Sequence, residues 1–335
     1  MFGVKAWMNA QRKKGASHLL ATRGIAGFVA LACTLLIGLE VSRVVSQYSE
    51  VITDARKDTA NLTSSLLQHA ELTFRTADAI LIGAVERLER EPMDPAARER
   101  MKAWFVREIQ NSPEFIAFGV LNEKGTMVVS LLHDGNNSHF GDREYFSYHR
   151  THDDNVLRIS SPVRSEAAGG WLIPVTRRFN KPDGSFGGVA VAAVNPQYFQ
   201  NIYDRLDLGD NSAVLLTTTD GTLLVRRPFV EANVGRDMRS SKIFQALQRA
   251  PSGSLEIKAS IDGVERFNSY EKGNTYPVFV VVAQNMDSLL APWKAGAVRR
   301  LIETAAIASF ILVMGAFVWR VTREIGRAQS ELQSQ

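Results

Sequence analysis

The sequence contains a single cysteine, Cys33. No disulfide can form within the chain, so any folded part must be held by core packing alone. The short motifs of common catalytic chemistry are missing as well: there is no GxSxG elbow, P-loop, HExxH or CxxC. The glycine pairs Gly169-Gly170 and Gly187-Gly188 are not followed by the acidic pair of a GGDEF cyclase. No phosphoacceptor-histidine helix follows the last apolar run. The expectation is a chain without a catalytic centre or a cofactor. Basic residues interleaved with stacking aromatics, the mark of a nucleic-acid surface, are also lacking. The formal charge of +4 is placed rather than spread. Lys5, Arg12, Lys13, Lys14 and Arg23 crowd one end, and Arg320, Arg323 and Arg327 crowd the other.

What is present begins with two uncharged apolar stretches, residues 24–39 (GIAGFVALACTLLIGL) and 304–319 (TAAIASFILVMGAFVW). Extended to 19–41 and 301–321, each reaches the roughly 20 residues that cross a bilayer, the first with Arg23 to snorkel and the second at the cost of Glu303 and Arg320 near its ends. A buried core helix is equally apolar, but the cationic clusters flank both runs on their terminal sides. The positive-inside rule then makes 1–18 and 322–335 cytoplasmic and puts residues 46–296 outside a bacterial inner membrane, in the periplasm. A cleavable or lipoprotein signal is the rival for the first run, since Cys33 follows Ala30-Leu31-Ala32. The run continues past Cys33 to Leu39, which favours a retained anchor.

Between residues 46 and 91 there is no proline and a single glycine, Gly83. Leu62, Leu66, Ala70, Phe74, Ala77, Leu81, Val85 and Leu88 recur at steps of three and four, a helical period. Such a stripe suits core packing together with a homodimer seam, with Leu62 and Leu66 as seam positions. A second helix is predicted over 94–110, with Asp94 as N-cap and Pro95 in the first turn. Beyond Pro113 the texture changes to strands. Residues 115–120 and 126–132 flank the turn Asn122-Glu123-Lys124-Gly125. The pattern returns at 216–225, where Asp220-Gly221-Thr222 again separates two apolar strands, and this points to a duplicated α/β unit.

The segment 141–150 (GDREYFSYHR) reads as a short helix capped by Asp142. Arg143, Phe146 and Arg150 share one face of it, and Tyr145 pairs with His149 at the i, i+4 spacing. Strands are predicted at 156–163, 171–179 and 188–194, with a turn at Lys181-Pro182-Asp183-Gly184 and a helix over 196–206. His133, His139, His149 and His152 fall near Asp134, Asp142, Asp153 and Asp154, but the irregular spacing reads as solvated loop rather than a metal site.

The order of long helix, GDREYFxxHR, SPV, IPVTRR, PDGSFGGV and NPxYF resembles the double Cache (dCache) sensor domain of bacterial receptors, especially those preceding diguanylate cyclase or histidine kinase outputs. The likeness covers 46–294, with 141–199 as its specific part and the second half matching in outline. It implies an α+β fold in which two transmembrane helices flank a double Cache domain made of a long N-terminal helix and two PAS-like antiparallel-sheet subdomains. The helical stalk is then 46–112, the membrane-distal ligand-binding subdomain 113–205 and the membrane-proximal one 206–296.

In this family Arg143, Arg150 and Arg177 sit in pocket-lining segments, and forked guanidiniums suit carboxylates. Tyr145, Phe146, His149 and Trp171 complete the expected ligand-binding set. The plain alternative for each arginine is a structural ion pair. The amino-acid-binding subgroup of the family carries Arg-x-Trp-Tyr, matched here by Arg143, Tyr145 and Phe146, and an aspartate where this sequence has Ala193. Without that acid an ammonium has no counter-charge, so the expected ligand is a small organic anion. The leading expectation is a homodimeric membrane receptor that signals through the second span to a cytoplasmic output partner. The alternatives are the sensory portion of a cyclase or kinase continuing past Gln335, and an envelope scaffold that binds protein.

Overall fold

Where the sequence runs without proline it folds as one helix: α1 spans Phe2–Arg90 in the computed structural model, which describes residues 2–91, 93–132 and 138–332. Contacts divide the chain into two units, Ala55–Leu289 and the segments Met1–Asp54 with Leu290–Gln335. The second of these consists of the first part of α1 and most of α6 (Met286–Leu332). Its large apolar side chains face outward, Phe28 at 71% exposure and Phe310 at 67%. Both helices are long and apolar enough to cross a membrane. They approach closely where side chains are small: a Cβ on Gly315 would lie 2.6 Å from Cγ2 of Val29. Nε of Arg300 lies 3.6 Å from Oε1 of Glu40, and Trp293 Nε1 donates to the Val44 carbonyl at 3.3 Å.

In the unit Ala55–Leu289, the rest of α1 lies against two sheets. Its apolar stripe is core: Ala70, Phe74, Ala77 and Leu81 are fully buried, and Leu62 and Val85 pack against them. Each large side chain so buried contributes about 1.5–3 kcal/mol. This corrects the expected seam, because Leu66 is only 5% exposed and is used up within the subunit. Helix α2 (Pro95–Gln110) starts as predicted: the Asp94 carboxylate accepts from the Ala97 N–H at 2.7 Å and Pro95 opens the first turn.

The first sheet contains β1 (Phe115–Asn122), β2 (Met127–Ser130), β3 (Arg158–Ile159), β4 (Val163–Ser165), β5 (Gly170–Asn180) and β6 (Phe186–Val194). Its order is β2-β1-β6-β5-β3, with β4 also on β5. Helix α3 (Glu144–Thr151) packs on it, and α4 (Pro196–Tyr203) leads to the second sheet. That sheet holds β7 (Ala213–Thr218), β8 (Leu223–Arg227), β9 (Ser252–Lys258), β10 (Glu265–Lys272) and β11 (Val278–Asn285), in the order β8-β7-β11-β10-β9. Helix α5 (Lys242–Leu247) lies between β8 and β9 in the chain.

The two sheets have the same topology, and their local detail repeats as well. Gly125 and Gly221 both take positive φ, 78° and 101°, at the hairpin turns. Each hairpin has a register shift, at Val120/Leu121 and at Leu216/Thr217. The crossover chain returns to each turn alike: Phe140 N–H donates to the Gly125 carbonyl and Met238 N–H to that of Gly221, both at 2.7 Å. The duplicated unit suggested by the sequence is thus present down to single hydrogen bonds.

Two local expectations need correction. The strand expected over 156–163 is broken into β3 and β4, both paired to β5. The interruption is Ser160-Ser161-Pro162, where proline offers no N–H to the ladder. Helix α3 begins at Glu144, and Arg143 rather than Asp142 holds the N-cap position, at φ −70° and ψ 141°. The cause is a turn in which Arg143 N–H donates to the Phe140 carbonyl at 3.1 Å, which delays helix entry past Asp142.

Candidate ligand-binding site

A sheet sends alternate side chains to opposite faces, so parity decides which residues of the first sheet meet α1 and which face α3. Phe118, Val120, Ile173, Val175, Ala190, Ala192 and Val194 belong to the core around α1. Their neighbours Ala117, Leu172 and Ala193 form a separate cluster on the other face. There the strands floor a cavity of about 210 Å³, roofed by Phe140, Arg143 and Tyr145 and walled by β4. Its room comes from small floor residues, Ala117, Gly119 and Ala193. A Cβ on Gly119 would lie 2.8 Å from Sδ of Met127, so that position cannot carry a side chain without displacing the wall.

Arg143 stands at the mouth, exposed, and makes no side-chain cap to α3. Tyr145 is buried beneath it. Burial pushes the Tyr145 phenol up to about 12, with Arg143 lowering it and Asp142 raising it to lesser degrees. At neutral pH the phenol therefore keeps its proton and can donate a hydrogen bond. Ser130 and Ser165 add hydroxyls, and Arg164 on β4 adds a second guanidinium, 3.3 Å from Glu231 and largely exposed. Among the described residues that line the cavity none is acidic. The arrangement presents two forked cations and a phenol donor over an apolar floor, which is complementary to an anion.

Of the residues expected from sequence, Arg143, Tyr145 and Ala193 line this cavity together; the other five do not. Phe146 turns into a neighbouring cluster, edge-on to Phe186 at 5.5 Å. His149 is fully buried, with Nε2 3.0 Å from the Thr176 hydroxyl. Burial pushes its imidazole down to about 4, the Asp154 charge opposing, so it is neutral at physiological pH. Arg150 points to solvent. Arg177 has the parity of Ile173 and Val175 and so faces α1, where its Nε donates to Oδ1 of Asp78. Its Nη1 donates to the Asn155 carbonyl at 2.6 Å and to Asn155 Oδ1 at 2.9 Å. The second oxygen of Asp78 accepts from the Tyr276 hydroxyl at 3.3 Å. Arg177 is a structural residue, and the alternation along β5 is the sequence signal that could have identified it. Trp171 lines a different cleft of about 570 Å³ with Asn195, Gln200 and Val225, and its Nε1 donates to Glu231 at 3.4 Å.

Sequence reasoning missed Arg164, Ser130 and Gly119; the apolar floor could have been traced by carrying the parity of Ala193 across to β1. Of the loop histidines, His133 and Asp134 lie outside the described residues, while His152 stacks on Tyr148 with centroids 4.2 Å apart. Among the described residues no three metal-ligating side chains come together.

A family model described as a histidine kinase sensor domain, dCache_1-like, matches residues 196–284. The match falls on the second sheet, whereas the sequence had pointed to 141–199 as the more specific part. The crystal structure of the extracellular domain assigned to histidine kinase rpHK1S-Z16 is 33% identical, with a TM-score of 0.65, covering 72% of this chain and 99% of that one. The ligand-binding domain of Mlp24 with asparagine is 14% identical, at TM-score 0.54, covering 75% of this chain and 99% of its own. That of the Pseudomonas aeruginosa PAO1 amino acid chemoreceptor PctB with L-Gln is also 14% identical, at TM-score 0.53, covering 75% and 98%. At that identity the last two show the shared fold alone. No curated protein matches the chain by sequence. Two antiparallel sheets of one topology on a long helix, apolar helices on either side, and a 33% identical relative spanned almost end to end agree: the chain belongs to the double Cache (dCache) family of extracellular sensor domains.

Proposed function

We propose that the chain is the sensory part of a two-pass membrane receptor and that it binds a small organic anion in the cavity beneath Arg143. The observation that carries this reading is the composition of the cavity: two guanidiniums and a protonated phenol at its mouth and roof, an apolar floor, and no carboxylate among the described lining residues. An amino acid is the second reading, because relatives of the same fold are named for binding asparagine and L-Gln. It is disfavoured by Ala193: an ammonium group enclosed there would have no counter-charge.

Both termini are cytoplasmic in this reading, which rests on the cationic flanks of the two apolar helices. The signal leaves through α6, which begins at Met286 directly after β11 ends at Asn285. The output is a histidine kinase or diguanylate cyclase domain or partner, the kinase being favoured by the description of the family model. The receptor is a homodimer along the exposed face of α1, where Gln68, Leu72, Arg75, Ala79 and Ile82 recur at alternating steps of four and three. Leu72 is 59% exposed and Ile82 41%, which distinguishes this face from the core stripe.

The test is calorimetry on the chain in lipid nanodiscs, with carboxylates and amino acids selected by thermal shift. Arg143→Ala removes a forked, charge-assisted contact and should weaken a carboxylate about thirtyfold, the low end of about 2–5 kcal/mol for a desolvated pair. Arg143→Lys should recover part of it, and Ala193→Asp should weaken the acid further. Wild-type affinity in a folded Arg143→Ala chain would overturn the assignment, as would an exclusive preference for amino acids.

A further inference from the structure

The duplicated architecture gives the second sheet its own copy of the cavity. The floor of the first is Ala117 opposite Ala193 on the two central strands, and the corresponding strands place Ala213 opposite Ala283. These alanines floor a cavity of about 250 Å³. Where Arg143 holds the N-cap of α3, Ser241 holds that of α5. The positive charge of the second cavity comes from the strands instead. Arg226 on β8 stands opposite Leu215, as Ser130 on β2 stands opposite Gly119. Arg266 on β10 lies two residues before Asn268, the partner of Ala283, as Leu172 lies two before Pro174, the partner of Ala193.

These arginines are buried, with side chains 6% and 4% exposed, and they share one carboxylate. Arg266 grips Asp262 with both terminal nitrogens, at 2.7 and 2.9 Å, and Arg226 Nη2 reaches Oδ2 of the same residue at 2.8 Å. Arg266 Nε donates to the Asn211 carbonyl at 2.6 Å and Arg226 Nη1 to that of Pro228 at 2.6 Å. Arg226 Nε is buried without a partner. Two guanidiniums against one carboxylate leave one positive charge uncompensated in a largely enclosed place, an expensive arrangement for a purely structural cluster. Burial foremost, and then the Arg266 charge, hold Arg226 below its ordinary value even with Asp262 in contact. Asp262 is the only acid among the described lining residues, and Lys242 and Lys258 add two further cations. The remaining wall is apolar, including Leu215, Ile257 and Phe279.

We infer that this second cavity is an anion-binding site, separate from the one beneath Arg143, built for a small monocarboxylate with an apolar body. A carboxylate supplies the missing negative charge, and Arg226 Nε offers it a donor that no protein group uses. The one surplus charge of the buried Arg226–Asp262–Arg266 cluster matches one carboxylate, while Lys242 and Lys258 are exposed to solvent. An ammonium group would face guanidiniums instead, and the volume lies just below the usual range for drug-sized ligands.

The experiment is calorimetry on the full chain carrying Arg143→Ala, in nanodiscs, with sodium benzoate and sodium hexanoate as probes. Binding of at least one probe should persist in that background. Adding Arg226→Met keeps the stem volume and leaves Asp262 and Arg266 as a neutral pair; it should weaken the probe about thirtyfold or more. Ser240→Trp, at an exposed position on the cavity lining, should block binding without touching the buried pair, and it decides the matter if Arg226→Met does not fold. No binding of either probe in the Arg143→Ala background overturns the inference, as does unchanged affinity in a folded Arg226→Met or Ser240→Trp chain. Loss on Arg226→Met with no effect of Arg143→Ala would uphold this site and place these probes in it alone.

Discussion

Arg177 on β5 and Arg143 at the start of α3 separate two kinds of arginine. Replacing Arg177 with alanine removes three hydrogen bonds, one to the Asp78 carboxylate and two to Asn155. The side chains of Arg177 and Asp78 are 11% and 18% exposed, so the pair is largely shielded from water. Breaking such a pair strands the remaining charge; about 3–5 kcal/mol is typical for full burial, and residual exposure of Asp78 favours about 3. For a unit of this size about 3 kcal/mol lowers the melting temperature by about 6–12 °C. The assay is a chemical or thermal melt followed by circular dichroism, run beside calorimetry with a carboxylate ligand. Arg177→Ala should lose stability by that amount and keep its affinity in the folded state. Arg143→Ala should do the reverse. The parity argument is refuted if Arg177→Ala melts like wild type, or if its folded form loses the ligand.

Three further outcomes are expected. His149 is held to about 4 by burial, against an ordinary 6.5, so the unfolded chain takes up this proton more readily. Its contribution to stability is present above about pH 6.5 and is lost as pH falls toward 4, up to about 3 kcal/mol, and His149→Gln should flatten that part of a melt-versus-pH profile. Cysteines at Leu72 or Ile82 should cross-link between subunits in membranes while a cysteine at Leu66 should not; cross-linking at Leu66 alone would exclude the exposed face as the seam. Reporter fusions after Arg320 should read as cytoplasmic and those at Asp183 as external, and an internal readout at Asp183 would refute the membrane orientation.

Much of the fold was legible because its elements are amphipathic in the simplest way. Leu66 to Leu88 on α1 mark one buried face, the near-continuous apolar runs of β1, β5 and β6 mark strands buried on both faces, and Asp94-Pro95 is a helix start that needs no tertiary context. For Arg177 the motif conflicts with the face that alternation assigns. Arg177 follows Ile173 and Val175 by even steps and belongs with them on the α1 side. The entry of α3 was misplaced by one residue because the turn from Phe140 to Arg143 depends on the chain folding back over Gly125, a contact between residues distant in sequence. The interruption at Pro162 was readable from proline alone. What no local pattern discloses is that Arg226, Asp262 and Arg266 converge, since strand pairing across the second sheet brings them together.

Asp78 has a use beyond neutralising one arginine. One of its oxygens holds β5 through Arg177, and the other holds Tyr276, two residues ahead of β11. β5 also carries Leu172 and Pro174 on its cavity face, so one strand serves both the cavity and the contact with Asp78. A carboxylate turns as a rigid fork: rotation that follows Arg177 lengthens the 3.3 Å contact to Tyr276, and rotation that follows Tyr276 slackens Arg177. Asp78 therefore ties the two sheets to one carboxylate, and Asp78→Asn, which keeps the shape but weakens the grip on Arg177, should lower the melting temperature as Arg177→Ala does.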